Sequence, residues 1–160
     1  MIEIKELRAL RGPNRHTRRT AISMVLDIKA FESLPSDKID GFSDRLLTLI
    51  PGLQEHGCSL GKPGGFIQRV ERGTWPGHII EHIAIELQCL AGMEVGYGKT
   101  LGTSQKGVYI VVFQYLVESA GLEAAKVAVS LYEKVAEGNP FDINQVVSDL
   151  KVLREEDMLG

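Results

Sequence analysis

Cysteine is scarce in this chain, with two among 160 residues, and aromatic residues make up only 6% of it. Cys58 and Cys89 lie far apart in different predicted elements with no secretory signal pattern ahead of them, so they read as reduced thiols and a disulfide-stapled secreted domain is not expected. No run approaches the ~18 uninterrupted apolar residues of a membrane span. The opening Met1 to Leu7 is acidic and alternating, where a signal peptide would begin basic and turn apolar. Membrane insertion is therefore not expected, and the cytoplasm is the expected compartment. Excess charge is missing too, since 18 Lys and Arg stand against 21 Asp and Glu for a formal net charge of -3. An acidic balance, with no aromatic residue interleaved among the arginines, argues against nucleic acid as a partner. What remains is an ordinary globular composition, 44% hydrophobic and 24% charged. A chain of this length buries about two-thirds of its unfolded surface without a disulfide or structural metal.

The charge is unevenly placed. Between Leu7 and Leu26 there is no acidic residue, yet Arg8, Arg11, Arg15, Arg18 and Arg19 stand there with His16, whereas the chain from Glu118 onward is acidic. Such polarity suits an anionic or zwitterionic partner; the alternative is a solvated loop whose arginines pair with the acidic helices.

Hydrophobic periodicity predicts strands over Ile2–Leu7 and Ala21–Ile28, joined by the basic Gly12-Pro13-Asn14 stretch. Gly41–Ile50 has helical spacing and stops at Pro51-Gly52, and the glycine-rich Gly57–Gly65 reads as a loop. A short helix over Phe66–Arg72 and a longer one over Trp75–Ala91 follow, the latter with Thr74 as N-cap, Pro76 in its first turn and Gly92 beyond its end. A short strand is expected over Glu94–Lys99 and a strong one over Gly107–Tyr115, then amphipathic helices over Leu122–Ala136 and Ile143–Glu155. The pattern predicts one α+β domain over residues 1–160, an antiparallel sheet of about four strands with helices mainly on one face.

The sharpest local signal is His78-Ile79-Ile80-Glu81-His82, an H-x-x-E-H sequence on a predicted helix. At about 100° per residue, His78, Glu81 and His82 share one face, and Ile79, Ile80, Ile83, Ala84 and Leu87 form an apolar side to bury. Two imidazoles one turn apart can hold one Zn²⁺, and a carboxylate between them can serve as general base, an arrangement that needs a third ligand from elsewhere. Glu118, at the end of the strong strand, is the first choice for that ligand, with Glu123 and Glu86 behind it. Glu86 lies about 12 Å along the helix axis from His78, too far for both to meet one ion at ligand distances of about 2 Å. His56 and Cys58 form a second candidate ligand pair, against the simpler reading of a local turn with a buried thiol. A hydrogen-bonded polar face without metal is the alternative for the whole H-x-x-E-H face. Gly96-Tyr97-Gly98-Lys99-Thr100 fails as a phosphate loop because the first glycine of that motif would fall on Met93.

Leu10-Arg11-Gly12-Pro13-Asn14, Gly64-Gly65-Phe66, the stretch from Gly73-Thr74-Trp75-Pro76-Gly77 through Gln88, Ala91-Gly92-Met93 and Gly107-Val108-Tyr109 together resemble the N-terminal domain of cyanophycin synthetases. The resemblance covers essentially the whole chain and rests on an ordered series of segments. It implies a domain that holds cyanophycin, a poly-aspartate backbone with arginine on each side-chain carboxyl, near ligase centres in ATP-grasp and Mur-ligase-like domains absent from this chain. ATP and Mg²⁺ would act in those domains, and the full-length protein would be a homo-oligomer. In some members the N-terminal domain also carries a metallopeptidase-like site that cuts polymer into primers. Carried onto this chain, that site is Glu81 as catalytic base, with His78, His82 and Glu118 as zinc ligands, while Arg11, Arg15, Arg18 and Arg19 would grip polymer carboxylates. Two departures from the family pattern fall at Gln114, where Glu is frequent, and near Lys62, where a second cysteine is frequent. The competing readings are a free-standing small H-x-x-E-H metallopeptidase and a purely structural oligomerisation domain.

Overall fold

The computed structural model describes residues 1–57 and 61–159. Four strands, β1 (Glu3–Leu10), β2 (Ala21–Asp27), β3 (Gly98–Gly102) and β4 (Val108–Gln114), form one sheet in the order β1-β2-β4-β3 with every neighbouring pair antiparallel. Helices α1 (Phe42–Leu49), α2 (Gly65–Arg72) and α3 (Pro76–Leu90) are inserted between the two hairpins, and α4 (Glu118–Glu137) and α5 (Ile143–Leu159) follow them. The expected α+β class and antiparallel four-stranded sheet are observed. Among the described residues no helix is long and apolar enough to cross a membrane.

Strand alternation explains which face is covered. Ile22, Met24 and Leu26 of β2 pair with Phe113, Val111 and Tyr109 of β4 and turn toward α3 and α4, where Ile79, Ile80, Ile83, Leu131 and Tyr132 close a dry core. Helix α4 reaches the sheet because its inner stripe is small: Ala120, Gly121, Ala124, Ala125 and Ala128 are buried. A Cβ on Gly121 would stand 2.7 Å from the Tyr115 Cβ, so the helix could not sit this close with any larger residue.

Several boundaries differ from those read in the sequence. The short strand runs over Gly98–Gly102, not Glu94–Lys99, because the Gly96 and Tyr97 amides donate to the Gln114 side-chain oxygen at 3.1 and 3.3 Å before the ladder begins. Helix α4 begins at Glu118, four residues before Leu122, so Glu118 opens a helix and does not end a strand. Trp75, not Thr74, occupies the N-cap of α3 and makes no side-chain cap bond, since the Thr74 hydroxyl is turned to the His78 ring.

Candidate active site

Helix α3 is buried all round, not on one side only. Its apolar stripe meets the sheet core, and its polar stripe is walled by α2, by a 3₁₀ turn (Pro51–Glu55) and by β3, leaving Glu81 6% and His82 7% exposed. Phe66 of α2 lies flat on His82 with ring centroids 4.0 Å apart and meets His78 edge-on at 5.5 Å. The result is a cleft of about 640 Å³ whose lining includes His56, His78, Glu81, His82 and Cys89. Burial pushes the Cys89 thiol up, and it donates to the Val95 carbonyl at 3.2 Å, so it rests as a thiol.

Each polar group in the cleft has an identifiable partner. Thr100 of β3 donates its hydroxyl to Glu81 Oε1 at 2.8 Å, and Glu81 Oε2 lies 3.8 Å from His82 Nε2. The His78 Nδ1 is 3.1 Å from the Thr74 hydroxyl. His82 Nδ1 meets His56 Nδ1 at 2.9 Å, and His56 Nε2 meets Glu86 Oε1 at 2.9 Å. A carboxylate only accepts, so His56 donates from Nε2 and accepts at Nδ1; His82 must then donate from Nδ1, which leaves its Nε2 lone pair facing the Glu81 side. Glu86, His56 and His82 thus form a chain that selects one tautomer of His82.

Of the residues singled out in the sequence, His78, Glu81 and His82 are brought together. Glu118 is elsewhere engaged: Arg11 donates to both of its oxygens at 2.6 and 3.0 Å, and that bond holds its carboxyl below the usual range. Glu123 sits on α4 against Lys126 at 3.3 Å. Glu86 does belong to the site, through His56 and not as a direct neighbour of His78. His56, a candidate ligand with Cys58 in one reading and part of a plain turn in the other, joins the site through His82 and Glu86, and Cys58 lies outside the described residues. Arg11, Arg15, Arg18 and Arg19 are all exposed on the β1–β2 loop, with Arg19 stacked over the Tyr97 ring at 5.5 Å.

The donor set suits Zn²⁺ in part. Two imidazoles one turn apart, with Nδ1 partners that orient their rings, are the groups and outer contacts that such an ion takes. Among the described residues no group of three or more His, Cys, Asp or Glu side chains is placed to hold a metal ion, so the third ligand is not assembled there.

Burial sets the protonation of the cleft. It pushes His78 down to about 4, helped by Arg69, and His82 down to about 2, helped by His78 and His56. It pushes Glu81 up to about 7 against the opposing Thr100 hydrogen bond. The 3.8 Å approach of Glu81 and His82 is therefore a contact between neutral groups near pH 6, not an ion pair. Stability follows from this. An unfolded histidine protonates near 6.5, so below that pH the unfolded chain binds two protons that the folded chain refuses, and stability falls as pH falls. Glu81 opposes this between its ordinary 4.5 and about 7, because there the folded chain holds one proton more. The net is about one proton, or roughly 1.4 kcal/mol lost per pH unit between pH 6 and 5. Chemical denaturation with chelator present at those two pH values checks it; equal or greater stability at pH 5 contradicts neutral burial of the histidines.

Fold and cleft together define an α+β domain with a buried histidine and glutamate site beneath the edge of an antiparallel sheet. Residues 23–137 match the family model described as the cyanophycin synthase-like N-terminal domain. The chain belongs to that family, as the sequence resemblance implied. The cyanophycin synthetase of Geminocystis herdmanii (strain PCC 6308) is 44% identical over 99% of this chain and 19% of its own length. Those of Trichormus variabilis (strain ATCC 29413 / PCC 7937) and Synechocystis sp. (strain ATCC 27184 / PCC 6803 / Kazusa) are 42% and 41% identical, over 99% and 96% of this chain and 18% of each relative. The chain thus spans about a fifth of the length of the curated relatives it matches.

Proposed function

We propose that this chain is a cyanophycin-binding module of a longer ATP-dependent ligase, and that its cleft cuts the polymer into primers with Zn²⁺ held by His78, His82 and a third ligand. The observation that carries the reading is the buried Glu81, held by Thr100 and 3.8 Å from His82, in a cleft of about 640 Å³. A Zn²⁺ held by His78 and His82 would supply polarisation of the scissile carbonyl and a more acidic attacking water. Glu81 takes the proton of that water and returns it to the departing amine nitrogen, so one C–N bond breaks as one C–O bond forms. A carboxyl raised to about 7 is matched to that exchange near neutral pH. Phe66 and the flanking apolar residues exclude bulk water from the histidine side. Glu118 stays in this reading as a candidate third ligand that would first have to leave Arg11.

Ligase chemistry, with its ATP and Mg²⁺, belongs in this reading to ATP-grasp and Mur-ligase-like domains of a homo-oligomeric cytoplasmic parent protein. Polymer capture belongs to the basic loop. Arg15, Arg18 and Arg19 are exposed, whereas Arg11 is already paired with Glu118, so the first three are expected to grip polymer carboxylates more strongly than Arg11. Replacing Arg15, Arg18 and Arg19 by Gln should lower cyanophycin affinity about tenfold or more at low salt and flatten its salt dependence, because exposed charges are screened over about 8–10 Å. A binding assay with purified cyanophycin at several salt concentrations reads this directly. Unchanged affinity and salt slope would remove the loop from the account.

A further inference from the structure

The outer strand of the sheet runs along the cleft with one edge unoccupied. β3 is the terminal strand in the order β1-β2-β4-β3, and its register with β4 continues to Tyr97, whose carbonyl accepts from the Gln114 amide at 2.9 Å. Antiparallel ladders alternate between bonded and non-bonded pairs, so Lys99 and Leu101 turn their N–H and C=O toward β4. Gly98, Thr100 and Gly102 turn theirs outward. Among the described residues nothing takes up these outward groups. A free edge of this kind is a template for another extended backbone.

Two of these three positions, Gly98 and Thr100, meet the site. The Thr100 side chain drops onto α3, donating to Glu81 and lying 3.2 Å from the Gly77 carbonyl. A Cβ on Gly98 would stand 2.8 Å from the Glu81 Cγ and Oε2, so glycine lets the strand edge and the carboxylate share one space. The hollow also continues past Glu81. His78 is shared between the main cleft and a second one of about 270 Å³, which Thr100 and the exposed Trp75 help to line. On the other side of the strand, the Tyr97 hydroxyl donates to the His16 carbonyl at 3.1 Å and Arg19 lies over the Tyr97 ring, which brings the basic loop to the same strand.

We propose that the free edge of β3 binds the polymer main chain as an added strand, held by the outward N–H and C=O groups of Gly98, Thr100 and Gly102. This rests on the polymer-cutting reading and specifies how that site takes its substrate. The occupant is an extended polyamide backbone bearing carboxylates, whose alternate side groups fall toward the Glu81 trough and toward the arginines of the basic loop. Three outward positions spaced two apart cover about 13 Å, so roughly four or five backbone units are gripped at once. Main-chain pairing ignores side-group chemistry, which suits a repeating polymer cut at any unit.

Synthetic six-unit cyanophycin segments test this with the 160-residue chain. The unmodified segment should bind and slow hydrogen exchange at the Thr100 and Gly102 amides at least tenfold. A segment N-methylated at every backbone amide should lose binding at least tenfold, while one methylated at alternate amides keeps a clean edge and should bind. Gly102→Pro removes one outward N–H where a Cβ would meet nothing within 4 Å, and should weaken binding about fivefold. Equal binding of the fully methylated and unmodified segments, or unprotected Thr100 and Gly102 amides in the complex, overturns the edge assignment and leaves polymer binding intact. Failure of the unmodified segment to bind overturns both.

Discussion

Glu81→Gln should leave zinc content unchanged and slow cyanophycin shortening by at least about a hundredfold, the range over which a positioned general base contributes. The amide has the shape of the carboxyl and keeps an oxygen to accept the Thr100 hydroxyl at the site of the present 2.8 Å bond. It cannot take the proton of the attacking water. Because Glu81 is 6% exposed, the exchange conserves packing, and thermal stability should hold or rise slightly as a buried acid becomes a neutral amide. Size analysis of the polymer, with zinc measured on the same preparation, separates the outcomes. Undiminished cutting by the variant would remove Glu81 from the chemistry, and loss of zinc would make it a ligand instead of a base.

His56→Phe should lower zinc affinity about 10- to 100-fold although His56 is not counted among the ligands, the usual cost of losing a partner that orients a ligating imidazole. In the wild-type chain, Glu86 accepts from His56 Nε2, and His56 Nδ1 in turn accepts from His82 Nδ1. Nitrogen NMR of the zinc-free chain should therefore find the His82 proton on Nδ1. In His56→Phe that preference should vanish while the fold persists, since the new ring can keep the contact with Phe66, now 6.1 Å between centroids. Glu86→Ala should reproduce the effect, and the double variant should be no worse than the His56 one, because both residues act through His82. Additive losses, or a His82 proton on Nε2 in wild type, would break the chain of donors.

The helix register was legible where periodicity is strong: His78, Glu81 and His82 fall together as the spacing of α3 requires, and the β2 and β4 strands appear almost where their β-branched runs lie. Residues joined across the fold were harder to read. His56 is 26 positions from His82 in a glycine-rich stretch with no periodicity, and only a polar partner such as Glu86, one turn beyond His82 on the same face, hinted at it. Glu118 looked like the end of a strand because Val111 through Tyr115 is continuous with Leu116 and Val117 in character; the helix starts there all the same, and Arg11, 107 residues away in sequence, claims the carboxylate. Thr74 has the chemistry of an N-cap, but a histidine one turn on offers its hydroxyl a competing partner. The two-sided burial of α3 was likewise invisible, because α2 and the edge strand come from separate parts of the chain and periodicity reports one face at a time.

Chain length of cyanophycin after incubation with the purified 160-residue chain, with added zinc and with chelator, tests the central claim most directly. The account predicts shortened polymer in the zinc sample, none in the chelated one, and recovery when zinc is restored. Polymer of unchanged length in all samples, from a chain that takes up no zinc, would contradict it.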